Sequence, residues 1–313
     1  MRRVRILILG TGGLGGYFGA RLAASGADVT FIARGEHLKA MRANGLRIES
    51  TLGNLLLKPV TATDDPAAAG VVDVVMIGVK LWDTESAIEA AAPAVGPDTA
   101  VVSFQNGVDA VDLLADKFGR QRVLGGIAHI AAVIEAPGVI RHNGKLQRLT
   151  FGELDGRRSA RVERLLAQCQ KAGIDTAVSD HVERSIWEKF ILIVGLSGMT
   201  TLTRLPIGPI REDPLTRELL ADTMREAASV GVAKGAALGT DAAEKQLAFL
   251  DTVPYDMIAS MLGDLRRGNR LELPWLSGGV VRLGERLGVA TPANRFVYAA
   301  LKLHQNGRHP SAA

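Results

Sequence analysis

A single cysteine, Cys169, stands in a chain of 313 residues. One thiol excludes an internal disulfide and a multi-cysteine metal site. It lies in the helical-looking run 160–172 and reads as an ordinary helix position. The six histidines show no HxxxH or HExxH spacing, so no metal is expected. Aromatic residues make up only 4%, which leaves a core mostly of Ala, Val, Leu and Ile. No uncharged apolar run reaches the roughly 18 residues of a membrane span. Arg2, Arg3 and Arg5 precede an apolar stretch, Ile6 to Leu9, that is too short for a signal peptide. The expectation is a soluble cytoplasmic protein with no membrane partner. An excess of one charge sign is also lacking: 37 Lys and Arg against 33 Asp and Glu give +4. The basic residues are scattered, in pairs such as Arg157 with Arg158, and aromatics do not interleave with them. No nucleic-acid partner is expected, and an anionic small molecule accounts for the mild excess. The hydrophobic fraction of 47% and charged fraction of 22% exclude a disordered chain.

Glycine, by contrast, is abundant, with 35 residues. The length predicts two domains. Residues 5–9, 28–33, 71–79 and 100–104 read as strands, with shorter candidates at 46–50 and 55–60. Helical spacing falls between them at 14–25, 36–43, 84–92 and 108–118. The run 71–79 (VVDVVMIGV) is apolar throughout, as expected of a strand covered on both faces. This βα alternation predicts an α/β fold, an N-terminal Rossmann-like doubly wound parallel sheet. Further strands are expected at 123–140 and 148–153. After about residue 180 strand signals vanish. Helical periodicity then runs through 186–202, 215–236, 242–265, 275–287 and 293–303, punctuated by prolines. The boundaries expected are residues 1–180 for the sheet domain and 181–313 for an all-α domain.

Gly10, Thr11, Gly12, Gly13, Leu14 and Gly15 form a GxGxxG loop where strand passes into helix. Gly10 permits the tight turn, Gly12 lets backbone approach a pyrophosphate, and Gly15 lets the helix pack close to the sheet. The helix N-terminus adds N–H donors and partial positive charge. The next strand ends in Arg34, where NAD folds usually carry an acid for the ribose 2′-hydroxyl. A guanidinium fork suits a 2′-phosphate, which predicts NADP. Glu36 reads as an ordinary acidic residue of a helix first turn.

These features together resemble the ketopantoate reductase (2-dehydropantoate 2-reductase) family. The resemblance rests on GTGGLG, on VTFIARG, on Gly78, Val79 and Lys80 at a strand end, and on Gln105, Asn106 and Gly107. It continues with Trp187 to Phe190 and with the spacing of Ser260, Asp264 and Glu272. It implies NADPH-dependent reduction of the 2-keto group of ketopantoate to pantoate. Lys80 is implied near the cofactor, Asn106 at the nicotinamide ribose and the substrate, Ser260 at the substrate, and Glu272 beside both. Lys189 is implied to be the general acid. Its context agrees: a cation before the fourteen uncharged residues from Phe190 to Thr203 is costly unless paired or functional. An ammonium there can stabilise the oxyanion of a carbonyl under reduction and deliver its proton. Helical spacing aligns Ser185, Lys189, Ile193 and Ser197 on one stripe.

The sequence departs from the family at three substrate positions usually held by Asn. They are Ile193, Ser197 and Ile207. Reduction of another branched 2-keto acid is therefore an alternative, and an NADP-binding sensor without turnover is a second. The partner expected is a small 2-keto acid, with a possible homodimer implied by the family.

Overall fold

The structure, a computed structural model, describes residues 2–308. The chain forms two compact units. The first holds the residues through Gln105 and Asp109–Val182, and the second holds Asn106–Val108 and the residues from Glu183 onward.

In the first unit β1 (Arg5–Leu9) is the central strand. Its residues Ile6, Leu7, Ile8 and Leu9 are all buried, as a strand covered on both faces requires. On one side it pairs parallel with β2 (Asp28–Ile32), which pairs in turn with the short β5 (Ala62–Thr63). On the other side it pairs parallel with β6 (Val74–Ile77), followed by β7 (Ala100–Ser103). The order of connection therefore reverses across β1 and β6. The crevice beyond the carboxyl ends of two such strands is where open α/β sheets bind ligands. Helix α1 (Gly13–Ala24) leaves β1 through the glycine loop, and α2 (Gly35–Asn44) follows β2. Helices α3 (Thr84–Ala91) and α4 (Ala110–Phe118) follow β6 and β7.

The sheet is mixed rather than wholly parallel. Strands β8 (Val123–Ala136) and β9 (Val139–Glu153) form a long antiparallel hairpin. The strand expected to run through 140 breaks at Pro137 and Gly138, where Gly138 takes a φ of 77°, a turn geometry that glycine supplies without strain. Beyond the hairpin β3 (Leu46–Ser50) pairs with β9 and with β4 (Leu55–Leu57). The full order is β4-β3-β9-β8-β7-β6-β1-β2-β5, with β10 (Asp175–Val178) also on β9. β10 is short and begins with Asp, so its sequence carries little strand signal. Cys169 on α5 (Ala160–Lys171) is buried in this unit's core. Burial pushes its thiol up to about 12, so it is held inert as the thiol.

The second unit is helical, built on α6 (Val182–Thr203). This helix is long and apolar enough by composition to cross a membrane. Here its Phe190, Ile191, Val194 and Met199 are buried in the unit's own core. Helices α7 (Ile207–Glu212) and α8 (Pro214–Ala233) follow. The single helix expected at 242–265 is two, α9 (Ala242–Thr252) and α10 (Ser260–Arg267). Pro254 breaks it, because proline lacks an N–H and forces its predecessor out of the helical region. The intervening segment takes up the start of α7: Ile207 N–H donates to the Met257 carbonyl and Gly208 N–H to the Tyr255 carbonyl, both at 2.9 Å. Helices α11 (Ser277–Leu287) and α12 (Pro292–Leu301) complete the unit.

One carboxylate ties α8 to α12. Glu226 accepts the N–H groups of Ala293 at 2.7 Å and Asn294 at 2.9 Å, and the Asn294 side-chain amide at 2.8 Å. It thus supplies, from another helix, the cap that Thr291 does not give. Replacing it strands these donors. Glu226→Ala is expected to lower stability by about 2 kcal/mol. Urea unfolding of the full chain should show a lower midpoint at unchanged slope; an unaltered midpoint would refute the cap.

Candidate active site

The glycine loop is shaped by close approaches. Gly10 has a φ of 92°, and a Cβ there would meet the Val79 backbone nitrogen at 2.7 Å. Side chains rarely adopt that conformation, and the neighbouring strand end leaves no room for one. A Cβ on Gly15 would overlap the carbonyl oxygen of Gly10, and one on Gly13 the carbonyl of Ala132 in β8. Around Gly12 the space is open, with nothing within 4 Å of a Cβ position. The loop is therefore tight on its inner side and vacant at the glycine expected to face a pyrophosphate. Gly12 is also the N-cap of α1 and offers no side chain to its first turn, which has no acid. The first N–H groups of a helix have no intrahelical partner. Those of Gly13, Leu14 and Gly15 belong to this set and are suited to an anion. The Leu14 side chain packs against the core, so its contribution to an anion site is its backbone.

Thr11 is buried, with its hydroxyl and N–H both donated to the Ile32 carbonyl at 2.8 and 3.0 Å. Its side chain anchors the loop to the end of β2. Arg34, the N-cap of α2, is exposed and has no ion pair among the described residues. Glu36 bonds Lys39 at 2.7 Å, an exposed pair of the helix first turn that leaves Arg34 alone. Lys80, just beyond β6, is exposed and its ammonium lies 5.7 Å from the centre of the Trp82 ring. Gln105 secures the end of β7. Its amide donates to the Val79 carbonyl at 2.9 Å and to the Thr84 hydroxyl at 2.8 Å, while its carbonyl accepts from Ser103 at 2.9 Å. The peptide that leads into Asn106 is thereby fixed.

In the second unit Lys189 donates to the Asn106 side-chain carbonyl at 3.0 Å. Lys189 sits on the first half of α6, partly buried. Burial pushes its ammonium down to about 8, opposed by the attraction of the Glu272 carboxylate. Glu272 is itself buried, in the segment before α11. Two residues far from Lys189 in sequence, Asn106 and Glu272, thus act on its ammonium. Ser260 lies exposed at the start of α10. Asp264, one turn on, is held by Arg267 at 2.8 Å and Asn269 at 3.2 Å and fastens the end of its own helix. Ile193 is partly buried one turn after Lys189. Ser197 and Ile207 are buried at 5% and 0% exposure, so neither offers the amide donors and acceptor that Asn would.

No metal-holding group of His, Cys, Asp and Glu occurs among the described residues. The contribution of Gln105 was not evident from sequence, because only the fold brings Val79 and Thr84 to its amide.

This geometry can bind an anionic dinucleotide in the first unit and hold a proton in the second. Comparison with known proteins agrees in kind. A sequence model described as ketopantoate reductase PanE/ApbA matches residues 6–156, and one for the C-terminal part matches residues 181–305. A 2-dehydropantoate 2-reductase of Mesorhizobium japonicum is 33% identical, over 96% of this chain and 97% of the relative. An uncharacterized oxidoreductase of Bacillus subtilis is 30% identical, over 96% of this chain and 99% of the relative. The crystal structure of a PanE/ApbA family ketopantoate reductase from Ralstonia eutropha superposes with a TM-score of 0.87 at 33% identity, covering 96% of this chain and 98% of that one. The chain belongs to the ketopantoate reductase PanE/ApbA family, oxidoreductases that act on a CH–OH/C=O pair with a nicotinamide dinucleotide.

Proposed function

We propose that this protein reduces the 2-keto group of ketopantoate, or of a closely related branched 2-keto acid, with NADPH. The observation that carries this reading is the ammonium of Lys189, bonded to Asn106 at 3.0 Å and lowered to about 8 beside Glu272. A bound nicotinamide supplies the hydride. The chain's own task is the proton. As the keto carbon is reduced its oxygen gains negative charge, and an ammonium stabilises it and gives it a proton. A lysine near 8 does this better than one near its usual value, because donor strength is matched to the working pH. Asn106 takes one of the three ammonium hydrogens and so orients the others. Glu272 favours the charged form and keeps the group from losing its proton too early.

The diphosphate falls to the glycine loop, whose open side at Gly12 fits it. Arg34 is assigned to a 2′-phosphate, since its guanidinium is exposed and Glu36 is engaged with Lys39. Lys80 is assigned to the same cofactor, and Ser260 and Asn106 to the substrate.

A second substrate reading has its own support. Ile193 supplies no polar group, and a substrate hydroxyl left unpaired against it costs about 1–3 kcal/mol. The protein is expected to reduce ketopantoate weakly or moderately. It is expected to accept an apolar branched 2-keto acid comparably well.

Three measurements test these assignments. In NADPH oxidation assays Lys189→Ala should lower turnover by about 10²–10⁴-fold with cofactor binding kept, the usual scale for a general acid. Lys189→Arg should not restore it, since guanidinium does not readily release a proton. The donor must be protonated, so reduction should fall as pH rises through about 8. Near-normal turnover in the Ala variant would make Lys189 structural.

NADPH should bind better than NADH, and Arg34→Ala should remove about ten- to hundred-fold of that preference. Equal binding of the two by the unmodified protein would overturn the 2′-phosphate assignment. For the substrate, kcat/KM for ketopantoate is compared with that for its analogue lacking the hydroxyl. A preference for ketopantoate above about a hundred-fold would defeat the apolar reading, because such ratios mark a site that bonds the hydroxyl.

A further inference from the structure

Between β6 and α3 the chain turns back through a single short turn, Leu81–Asp83, and the shape of that turn is set by a side chain from beyond β7. Within it the Asp83 N–H donates to the Lys80 carbonyl and the Thr84 hydroxyl to the Leu81 carbonyl, both at 2.9 Å. Its two ends are held by one amide group. Gln105 Nε2 donates to the Val79 carbonyl at 2.9 Å and to the Thr84 hydroxyl at 2.8 Å. A carbonyl can only accept, so the amide must turn its nitrogen toward Val79. The Thr84 hydroxyl spends its hydrogen on Leu81, so it too accepts from Gln105. Both amide hydrogens are thereby committed. The amide oxygen accepts the Ser103 hydroxyl at 2.9 Å, and Ser103 belongs to β7 in the sheet. A continuous chain of donors runs from Ser103 through Gln105 and Thr84 to Leu81, and such bonds polarise one another.

The pinned turn stands beside the glycine loop. The Val79 nitrogen is 2.7 Å from the position of a Cβ on Gly10. Between the two pinned ends Lys80 is exposed, and its ammonium lies 5.7 Å from the centre of the Trp82 ring on the same turn, within the range at which a ring face attracts a cation. The turn therefore presents a positive charge just past the carboxyl end of β6, where an open α/β sheet meets its ligand. Ordering a loop on binding weakens affinity. A turn held at both ends before the ligand arrives avoids most of that loss.

We propose that Gln105 is a positioning residue of the dinucleotide site: its side-chain amide pins the turn from Val79 to Thr84 so that Lys80 meets the bound dinucleotide. This rests on the dinucleotide-binding reading and on the assignment of Lys80 made with it. It adds that the Gln105 side chain acts on binding through Lys80.

That route is tested by a double-mutant cycle. Methionine has nearly the length of glutamine and no amide, so Gln105→Met removes the pin. Dissociation constants for NADPH and NADH are measured by titration calorimetry on the full-length protein, on Gln105→Met, on Lys80→Ala and on the two changes together. Thr84→Val, which keeps the Val79 bond and cuts the chain to Leu81, is measured with and without Lys80→Ala. Thermal unfolding of each is followed in parallel.

Gln105→Met should weaken both dinucleotides by about three- to tenfold, the scale of a neutral hydrogen bond. Lys80→Ala should weaken them by about tenfold or more, as for a bond to a charged group. With Lys80 already replaced, Gln105→Met should change affinity by less than about twofold. Thr84→Val should show a smaller loss than Gln105→Met, and that loss should also vanish in the Lys80→Ala background. A merely structural role would give losses that add, as independent sites do, and that follow the melting temperature. Additive losses, or unaltered affinity in Gln105→Met, would overturn the proposal. Unaltered affinity in Lys80→Ala would overturn the assignment of Lys80 and the proposal with it. Failure of the unmodified protein to bind either dinucleotide would overturn the reading beneath both. If Gln105→Met does not fold, the Thr84→Val cycle decides the matter.

Discussion

The sheet unit depends on how closely α1 approaches β1. A Cβ at Gly15 would overlap the Gly10 carbonyl, and one at Gly19 would crowd Phe31 and Ile8. Contacts of that kind exclude every side chain, so the helix is held at one depth and the loop before it takes one path. The loop's outward face follows from the same constraint. With its inner side pressed on the ends of β1 and β6, the peptide groups at Gly12 and the first turn of α1 are what remain to meet a ligand. Mutating these glycines would disturb the packing of the sheet together with the anion site. The loop is therefore a poor place to separate folding from binding, and the exposed Arg34 is a better one.

The helical unit is organised around a different difficulty. α6 is apolar enough to be its core, yet it carries a lysine. Burying an ammonium is unfavourable, and the protein answers with one neutral acceptor, Asn106, and one carboxylate, Glu272. The two do different work. Asn106 fixes direction without changing charge. Glu272 offsets part of the cost of burial but not all of it, so the balance stays near 8. A fully compensated lysine would hold its proton too strongly to act as an acid, and an uncompensated one would lose it. The site sits between these limits because its carboxylate attracts the charge while burial opposes it.

Much of this was legible in the sequence. The order of β1, β2, β6 and β7, the glycine loop and the switch to helices near residue 180 follow from periodicity and turn residues. Lys189 was legible because a charge in an apolar helical run is conspicuous. What the sequence did not show are features made by long-range pairing. β10 has too few apolar residues to declare itself and exists because β9 offers an edge. The β8–β9 hairpin hides its turn in a Pro-Gly pair between two strands that read as one. The break between α9 and α10 was written in Pro254, but strong apolar spacing on both sides obscured it.

The glycine loop of the first unit and the lysine cluster of the second also differ in how firmly residue identity fixes chemistry. Proton transfer needs one group of suitable acidity, and a lysine with a carbonyl and a carboxylate partner meets that need for any 2-keto acid. Diphosphate binding needs backbone N–H groups and room, which glycine provides whatever the nucleotide. Neither function reads the substrate's side chain. On the proposed reading that task falls to positions such as the partly buried Ile193, a branched hydrocarbon without a polar atom. A site that binds through apolar surface distinguishes a methylene by about 1–3 kcal/mol and rejects an added hydroxyl poorly, whereas one that bonds a hydroxyl rejects its absence strongly. On the proposed reading, proton transfer from Lys189 and a broad substrate range at Ile193 are thus compatible: the first serves carbonyl reduction, while the second leaves substrate choice to shape.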